Sequence, residues 1–572
     1  MSAGASAPYP YPDAYNPDLL ERIPLWSRRV LDIGCGTGAL GARFKQRNPA
    51  AQVIGIETDA GAAARAKTRL DQVFVGDIEA LSFPDALKGT FDCLIYGDVL
   101  EHLRDPWALL RRHAALLAPQ GVLLACVPNV EHWSFVARLL QGRWAYEETG
   151  LFDRTHLRWF SAETLRRALT EAGLVPLDSA PRVFEPEQGQ RFILAITPAL
   201  QALGVTPEEY ARRALPLQYI WRARPSPPER LTVFSTMLKP VGGVSHVRVI
   251  EPMRGLATDP EIRAGLADLR TLAAQASEEP SIVILHRPAL IGEGGLASLR
   301  PLIQKGYLLV CEFDDHPDYI PVLQQRPMYN FSAVHAIQTT TPVLAEVLRA
   351  TNPEVAVFPN AVSELREPVN FADPSRLTLF FAGINREADW PALLPALNRV
   401  AAEAGPRLQV KVLHDRGFFA ALATPHKSFS PMLDYPAYLV ALAQAEISFM
   451  PLQDTLFNRC KSDLKFIEAA AAGVAALASD TVYAGSIADG ETGMIFRDPQ
   501  ELEMKLRAML ADPAMTQSLA LRARAEVARA RMLASQILPR IAWYRDLWQR
   551  RESLHAALLA RVPELALPPP GL

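Results

Sequence analysis

The stretch VLDIGCGTG, Val30–Gly38, runs from apolar residues straight into three glycines. It reads as a buried strand, a glycine turn and the start of a helix. Gly34, Gly36 and Gly38 let the backbone approach a ligand closely and take dihedrals that a Cβ forbids, at the carboxyl end of a parallel strand, where such sheets bind ligands. The surrounding chain extends the same pattern. RRVLDIG, AQVIGIE, DQVFVGD, FDCLIYGD and GVLLACVPN are short apolar strands separated by helical stretches, the signature of a doubly wound α/β sheet.

Two ligands compete for this loop. Gly34, Gly36 and Ala39 satisfy G-x-G-x-x-G/A, and Glu57 follows at a spacing suited to a ribose-binding acid, so a dinucleotide is the first candidate. Asp32 favours the second. A carboxylate two residues before the first glycine repels a pyrophosphate but attracts the ammonium of a methionyl group beside a sulfonium. Glu57, ending VIGIETD, can accept two hydrogen bonds from a ribose diol, and Asp77, in VFVGDIEAL, stands where an adenine amine would lie. S-adenosylmethionine is the expected cofactor.

On these motifs, LDIGCGTG, GIE, GD and DVLEHLRDP in that order, residues 30–130 resemble a class I S-adenosylmethionine-dependent methyltransferase. The resemblance implies that Asp32, Gly34, Gly36, Glu57, Asp77 and Asp98 line the cofactor, with Gly38 and Ile78 beside them.

Composition narrows the remaining classes. At 572 residues the chain exceeds one core and predicts about two or three Rossmann-sized units. A formal charge of −3 and the absence of any Lys/Arg run argue against a nucleic-acid partner. The five cysteines are scattered with no C-x-x-C, which suits a reducing compartment and argues against zinc; no metal ligands are assigned. The amino terminus lacks a basic start and an apolar core, and no apolar run reaches membrane-spanning length. The expectation is a cytoplasmic protein without an integral membrane segment, for which peripheral membrane association stays open.

Residues 1–17 are Pro- and Tyr-rich, and Tyr11 or Tyr15 is a candidate to fold over the cofactor. Acceptor binding falls to Glu131–Phe160, which carries Trp133, Phe135, Trp144, Tyr146, Phe152, Trp159 and Phe160. Aromatic faces suit a sugar or another partly apolar acceptor, and equally suit a cap packed on the sheet. Methyl transfer from a sulfonium needs in-line positioning, and a general base only if the acceptor is a hydroxyl. His132 and His156 are the candidate bases, and His102 reads as structural. The sheet closes with GLVPLDSAPRVFE and, after a helical insertion over roughly 199–215, with LQYIWRAR. RPSPPER, Arg224–Arg230, cannot continue helix or central strand and reads as a linker, which makes residues 1–223 the first domain.

The second part restarts with LTVFSTMLKPVGGVSHVRVIEPMRGL, where Gly242 and Gly243 would let a helix amino terminus approach a diphosphate. SIVILHR, YLLVCEFDD, AVHAIQTT and VAVFPN complete one Rossmann-like half, expected over 231–375. LTLFFAGINREADW, LQVKVLH, EISFMPL, VAALAS and GMIF build another, expected over 376–550, with 551–572 as a tail whose extreme end is disordered. On TTTPVLAEVL, VFPNAV, FAGINREADW and KSDLKFIEAAAAGVAALASDTVYAGSIADGETGMIF, residues 231–550 resemble a glycosyltransferase of the two-Rossmann GT-B architecture. The first half would take the acceptor and the second the nucleotide sugar. A helix starting near Lys461 points its positive end and Lys461 at a diphosphate, with Lys465 on the same helix, while Glu468 reaches ribose hydroxyls and Arg386 is a further phosphate ligand.

Where many retaining members carry a Glu eight residues before the helix Glu, this chain has Cys460, with Asp463 and Asn458 as candidate replacements. His286 occupies a place where such enzymes can keep a catalytic histidine. Asp314 and Asp315 invite a metal, but the architecture implied by the resemblance neutralises the leaving diphosphate with basic residues and helix dipoles. Together the parts predict a bifunctional methyltransferase and glycosyltransferase acting on a glycan, glycolipid or small-molecule acceptor, in surface glycan or glycolipid biosynthesis. The alternatives are natural-product tailoring, or a methyltransferase carrying an inactive carbohydrate- or nucleotide-binding module.

Overall fold

A computed structural model describes residues 13–237, 242–274 and 279–566. Tyr11 and the extreme carboxyl terminus lie outside them. The chain divides into two compact units: residues 1–229 with 258–261, and residues 230–257 with 262–572.

The first unit is a seven-stranded sheet of β1 (Arg29–Ile33), β2 (Gln52–Glu57), β3 (Gln72–Val75), β4 (Phe91–Gly97), β5 (Leu117–Pro128), β6 (Val175–Val183) and β7 (Pro216–Arg224), in the order β3-β2-β1-β4-β5-β7-β6. β1 to β5 are parallel, and β7 runs antiparallel to both neighbours. Successive residues feed opposite faces. Leu31, Ile54 and Leu94 enter one core, while Val30, Val53 and Cys93 enter the other. Burial on both faces explains why these strands read as continuous apolar runs. The strand order reverses between β1 and β4, and the carboxyl ends there form the crevice that open α/β sheets use for ligands. The helical insertion begins earlier than the sequence reading placed it. One helix, Pro186–Ala202, opens on a proline at its first position, and a second, Pro207–Ala214, opens on a capping box of Thr206 and Glu209.

The second unit holds two six-stranded parallel sheets. The first contains β8 (Leu231–Thr236), β9 (Ile262–Leu266), β10 (Ser281–His286), β11 (Leu308–Glu312), β12 (Ala336–Thr339) and β13 (Val355–Val357), ordered β13-β12-β11-β10-β8-β9. The other contains β14 (Leu377–Ala382), β15 (Leu408–Leu413), β16 (Lys427–Ser430), β17 (Ile447–Met450), β18 (Ala475–Ser479) and β19 (Met494–Phe496), ordered β16-β15-β14-β17-β18-β19. Edge strands β9 and β16 escaped the sequence reading because IRAGL and KSFS carry too little apolar signal.

The tail assigned to 551–572 needs correction for its described part. Residues Arg551–Arg561 form a helix, and Leu558, Val562 and Leu565 are buried in the core of the β8–β13 sheet. The preceding helix, Ile537–Gln549, joins the same sheet through Tyr544, whose hydroxyl donates to Gln338 Oε1 at 2.8 Å.

Candidate functional site

The glycine loop follows β1 with Gly34, Gly36 and Gly38 at φ 70°, 52° and 75°, the left-handed region that a side chain strains. A Cβ on Gly34 would stand 2.4 Å from Val99 Cγ2. The Gly34 and Cys35 N–H groups both donate to the Ile56 carbonyl, at 2.8 and 3.0 Å, which ties the loop to β2. Asp32 lies beneath it, 3% exposed, and its Oδ2 has no hydrogen-bond partner among the described residues. Burial, then the nearby Glu57 carboxylate, push its pKa up to about 7. A buried carboxylate oxygen left unpaired beneath a glycine loop is costly unless a ligand supplies the missing charge.

The other acids are more engaged than the sequence suggests. Glu57 accepts from the Gly36 N–H at 2.8 Å and from the Thr58 and Asp59 N–H groups at 2.8 and 2.9 Å, so it braces the glycine loop. Asp77 is exposed and takes Arg104 Nη2 at 2.8 Å, with buried Ile78 beside it. Asp98, at φ 57° after β4, accepts from Gln218 Nε2 at 2.6 Å. Sequence reasoning missed Asp13, which accepts from Thr37 Oγ1 of the loop at 3.0 Å and from Arg69 Nη2 at 2.9 Å. Hydrogen bonds from Arg69 and Thr37 hold its carboxyl down at about 2. A single acid in a Pro- and Tyr-rich segment gives no signal of such a partnership.

In the cap, Phe135 and Phe152 are buried with ring centroids 4.6 Å apart, so they are packing residues, whereas Trp144 and Tyr146 are exposed. His132 caps the helix Trp133–Leu140; its Nδ1 meets Ser134 Oγ at 2.8 Å and its buried Nε2 has no partner. Burial lowers its pKa to about 4, so the ring is neutral; because Nδ1 accepts the Ser134 N–H at 3.4 Å, the proton sits on Nε2, which makes that atom a donor and not the base expected from the sequence. His156 lies with His102, their ring centroids 4.8 Å apart, and with Glu101. Burial lowers both histidines as well.

In the second unit, the charged groups assigned to the donor hold one another. Lys461 Nζ lies 2.9 Å from Asp315 Oδ1, and Arg287 bridges Asp315 and Asp314, the latter at 2.6 Å. Asp314 and Asp315 thus neutralise cations. Arg386 pairs with Asp389 and Asn458, each at 3.1 Å. Glu468, 4% exposed, accepts from the Tyr435 and Tyr438 hydroxyls at 2.9 Å each; burial raises it to about 7 despite those bonds. Lys465 donates to the Ala382 carbonyl, and burial brings it down to about 8. Lys465 and Arg386 line a small cavity with Phe381, Met450 and Tyr483 at the carboxyl ends of β14 and β17, where this sheet's order reverses. Gly242 and Gly243 open the short helix Gly242–Ser245, and a Cβ on Gly243 would meet the Tyr435 ring at 3.0 Å. His286 ends β10 with its Nε2 buried and unpartnered, and burial lowers its pKa.

Cys460 is fully buried in the core that the β8–β13 sheet shares with the carboxyl-terminal helix. Asp463 pairs with Arg531 at 2.7 Å, and Asn458 Nδ2 donates to Asp389 at 2.9 Å. Neither candidate replacement is unpaired.

Residues 12–179 match a family model described as a methyltransferase domain, and residues 395–538 one described as glycosyl transferase-like. The first part of the chain is thus similar to methyltransferase domains and the later part to glycosyl transferase-like domains, each match covering less than half of the chain. A ubiquinone biosynthesis O-methyltransferase of Rhodopseudomonas palustris is 32% identical over 165 residues, 28% of this chain and 62% of that protein. Its counterpart in Methylocella silvestris is 32% identical over 173 residues, 29% of this chain and 65% of that protein. The chain thus spans less than two thirds of these relatives. Among solved structures, Anabaena HepE in complex with UDP-glucose is 11% identical, covering 55% of this chain and all of that one, with a TM-score of 0.40. No described helix is long and apolar enough to cross a membrane.

Proposed function

We propose that the chain is a bifunctional transferase, moving a methyl group from S-adenosylmethionine in its first unit and a sugar from a nucleotide-sugar donor in its second. The observation that carries the first activity is the unpartnered Asp32 carboxylate under a glycine loop at the strand-order reversal. It suits the cofactor's ammonium and opposes a pyrophosphate. Asp98 and Asp77 lie at the ends of the neighbouring strands, and the neutral His132 presents an Nε2–H that can donate to an acceptor oxygen. For the second activity, Arg386 and Lys465 at the β14/β17 reversal would meet the diphosphate. The acceptor is a glycan, glycolipid or small molecule with an aromatic-compatible face. Calorimetry with S-adenosylmethionine, its demethylated product and NAD tests the first half of the proposal. Tight NAD binding without a response to the other two would overturn it.

Two observations favour a second reading, in which the glycosyltransferase-like part only binds a nucleotide or carbohydrate. Cys460 is buried in a core, and both Glu468 oxygens are taken by tyrosines. A panel of nucleotide sugars assayed for hydrolysis and transfer separates the readings, since a binding module would show neither.

A further inference from the structure

The connection from β11 to β12, residues 313–335, is longer than the roughly 12–15 residues beyond which a loop is usually functional. It is built from short turns, Pro317–Tyr319 and Pro321–Gln324, and Leu323 and Phe331 sink into the core of the β8–β13 sheet. His316, 5% exposed, opens the first turn by accepting the Asp318 N–H on its Nδ1 at 3.3 Å. Gln324 Nε2 closes it by donating to the Asp318 carbonyl at 2.9 Å.

The turn presents Tyr319, which is 51% exposed although its ring is held on two sides. His316 meets the ring edge-on, with centroids 5.2 Å apart at 83°, and Phe457 lies against it at 4.9 Å and 41°. Phe457 comes from the connection after β17, in the other sheet of this unit, and Lys461 Nζ stands 4.1 Å from its ring centroid. Lys461 is also the group that Asp315 holds at 2.9 Å. A ring contact and an ion pair thus join the connections that follow β11 and β17. A Tyr ring fixed in this way has already lost much of the rotamer freedom that binding would otherwise cost.

The surrounding charges restrict what the ring can take. Arg287 bridges Asp314 and Asp315, Lys461 is held by Asp315, and Arg459 is paired with Asp454. Asp318, next to Tyr319, is exposed and makes no salt bridge among the described residues. A uronic acid or another anion would meet an unbalanced carboxylate there, and only cations that already have partners. A neutral pyranose avoids that repulsion: its polarised C–H groups face the negative π-cloud, and its hydroxyls can donate to a carboxylate.

We propose that Tyr319, backed by His316 and Phe457, is the stacking platform for a neutral pyranose of the acceptor, beside the Lys461–Asp315 pair. Arg386 and Lys465, which would hold the donor diphosphate, line their cavity at the ends of β14 and β17, whereas Tyr319 belongs to the β8–β13 sheet. The role as acceptor platform deepens the glycosyltransferase reading and rests on it; pyranose binding does not.

The test titrates the full chain with the methyl glycosides of glucose, galactose, mannose and N-acetylglucosamine and with methyl glucuronide, read by saturation-transfer NMR. At least one neutral glycoside should bind, and more tightly than the glucuronide. Tyr319→Ala should weaken that binding about tenfold through loss of a ring face, while Tyr319→Phe keeps most of it. If Tyr319→Ala fails to fold, Tyr319→Leu, apolar but without a flat face, carries the comparison. Equal affinity in the wild type and these truncated variants, preference for the glucuronide, or no glycoside bound would overturn the platform. A panel of nucleotide sugars titrated into the same samples, with sedimentation of each, separates the other occupants. Nucleotide-sugar binding lost in Tyr319→Ala would make the ring a donor contact, and a dimer dispersed by that substitution would make it a subunit contact; either overturns the proposal. Nucleotide-sugar binding without glycoside binding sinks this inference alone, and the converse sinks the glycosyltransferase reading.

Discussion

Replacing Asp32 by asparagine separates a ligand-binding charge from a structural one. In the cofactor-free protein, burial raises this carboxyl from its ordinary 3.8 to about 7. A raised folded-state pKa means that the acid form favours folding: the stabilisation is complete below pH 3.8 and is lost as pH rises through about 7. At about 1.4 kcal/mol per pH unit, the wild type has lost about 1.6 kcal/mol at pH 5 and about 4 kcal/mol at pH 8. The asparagine amide does not titrate, so Asp32→Asn should melt progressively higher than the wild type as pH increases. For a unit of this size, 4 kcal/mol is roughly 8–16 °C. S-adenosylmethionine requires the ionised form, so its affinity for the wild type should rise about fifteenfold between pH 5.5 and pH 7, by the change in ionised fraction. The variant should bind weakly with little pH dependence. Scanning calorimetry without cofactor and titration calorimetry with it read the two effects. A melting gap equal at pH 5 and pH 8, or wild-type affinity flat across that window, would refute the role assigned to Asp32.

Lys461→Ala should weaken nucleotide-sugar binding about ten- to hundredfold through loss of a charge-assisted contact, and leave S-adenosylmethionine affinity unchanged, by calorimetry with both ligands. Glycosyl transfer should persist in chelator, because Arg386, Lys465 and Lys461 supply positive charge; product assays with and without chelator check it. Glu468→Gln should raise the melting temperature above pH 7 but not at pH 4, because burial lifts that carboxyl to about 7 and the stability it contributes is lost as pH rises through that value.

The strands that build the sheet centres were legible because burial on both faces leaves an unbroken apolar run, as in VLDIG and VIGIE. Edge strands β9 and β16 were not, since an edge carries mixed residues and resembles a loop. The helix Arg551–Arg561 looked like a tail because its amphipathic face makes sense only against a sheet that begins far earlier in the chain. The glycine loop and Asp32 were readable from local spacing. The Glu101–His102–His156 cluster was not, because its members come from a turn after β4 and from the cap, and their approach depends on the Leu157 and Arg158 hydrogen bonds to Glu101. Nor did the sequence predict that Glu57 would spend its oxygens on the loop and Glu468 on two tyrosines, since backbone N–H groups and remote hydroxyls leave no trace in residue spacing.

His286 Nε2 apart, the charged groups assigned to the donor in the second unit are held by partners, unlike Asp32 in the first, and the difference bears on affinity. In the first, Asp32, Glu101 and the His132 Nε2 hold unpartnered polar atoms, at a cost in folding stability that a ligand would return on binding. In the second, Lys461 is held by Asp315, Arg386 by Asp389 and Asn458, and Glu468 by Tyr435 and Tyr438. A donor must displace these partners, so its apparent affinity is reduced by the fraction of molecules in which they have let go. Asp315→Asn weakens the hold on Lys461 while Asp314 still pairs with Arg287, and should therefore tighten nucleotide-sugar binding. If it weakened binding instead, Asp315 would be a donor ligand in its own right, and the pairing with Lys461 would be part of the assembled site.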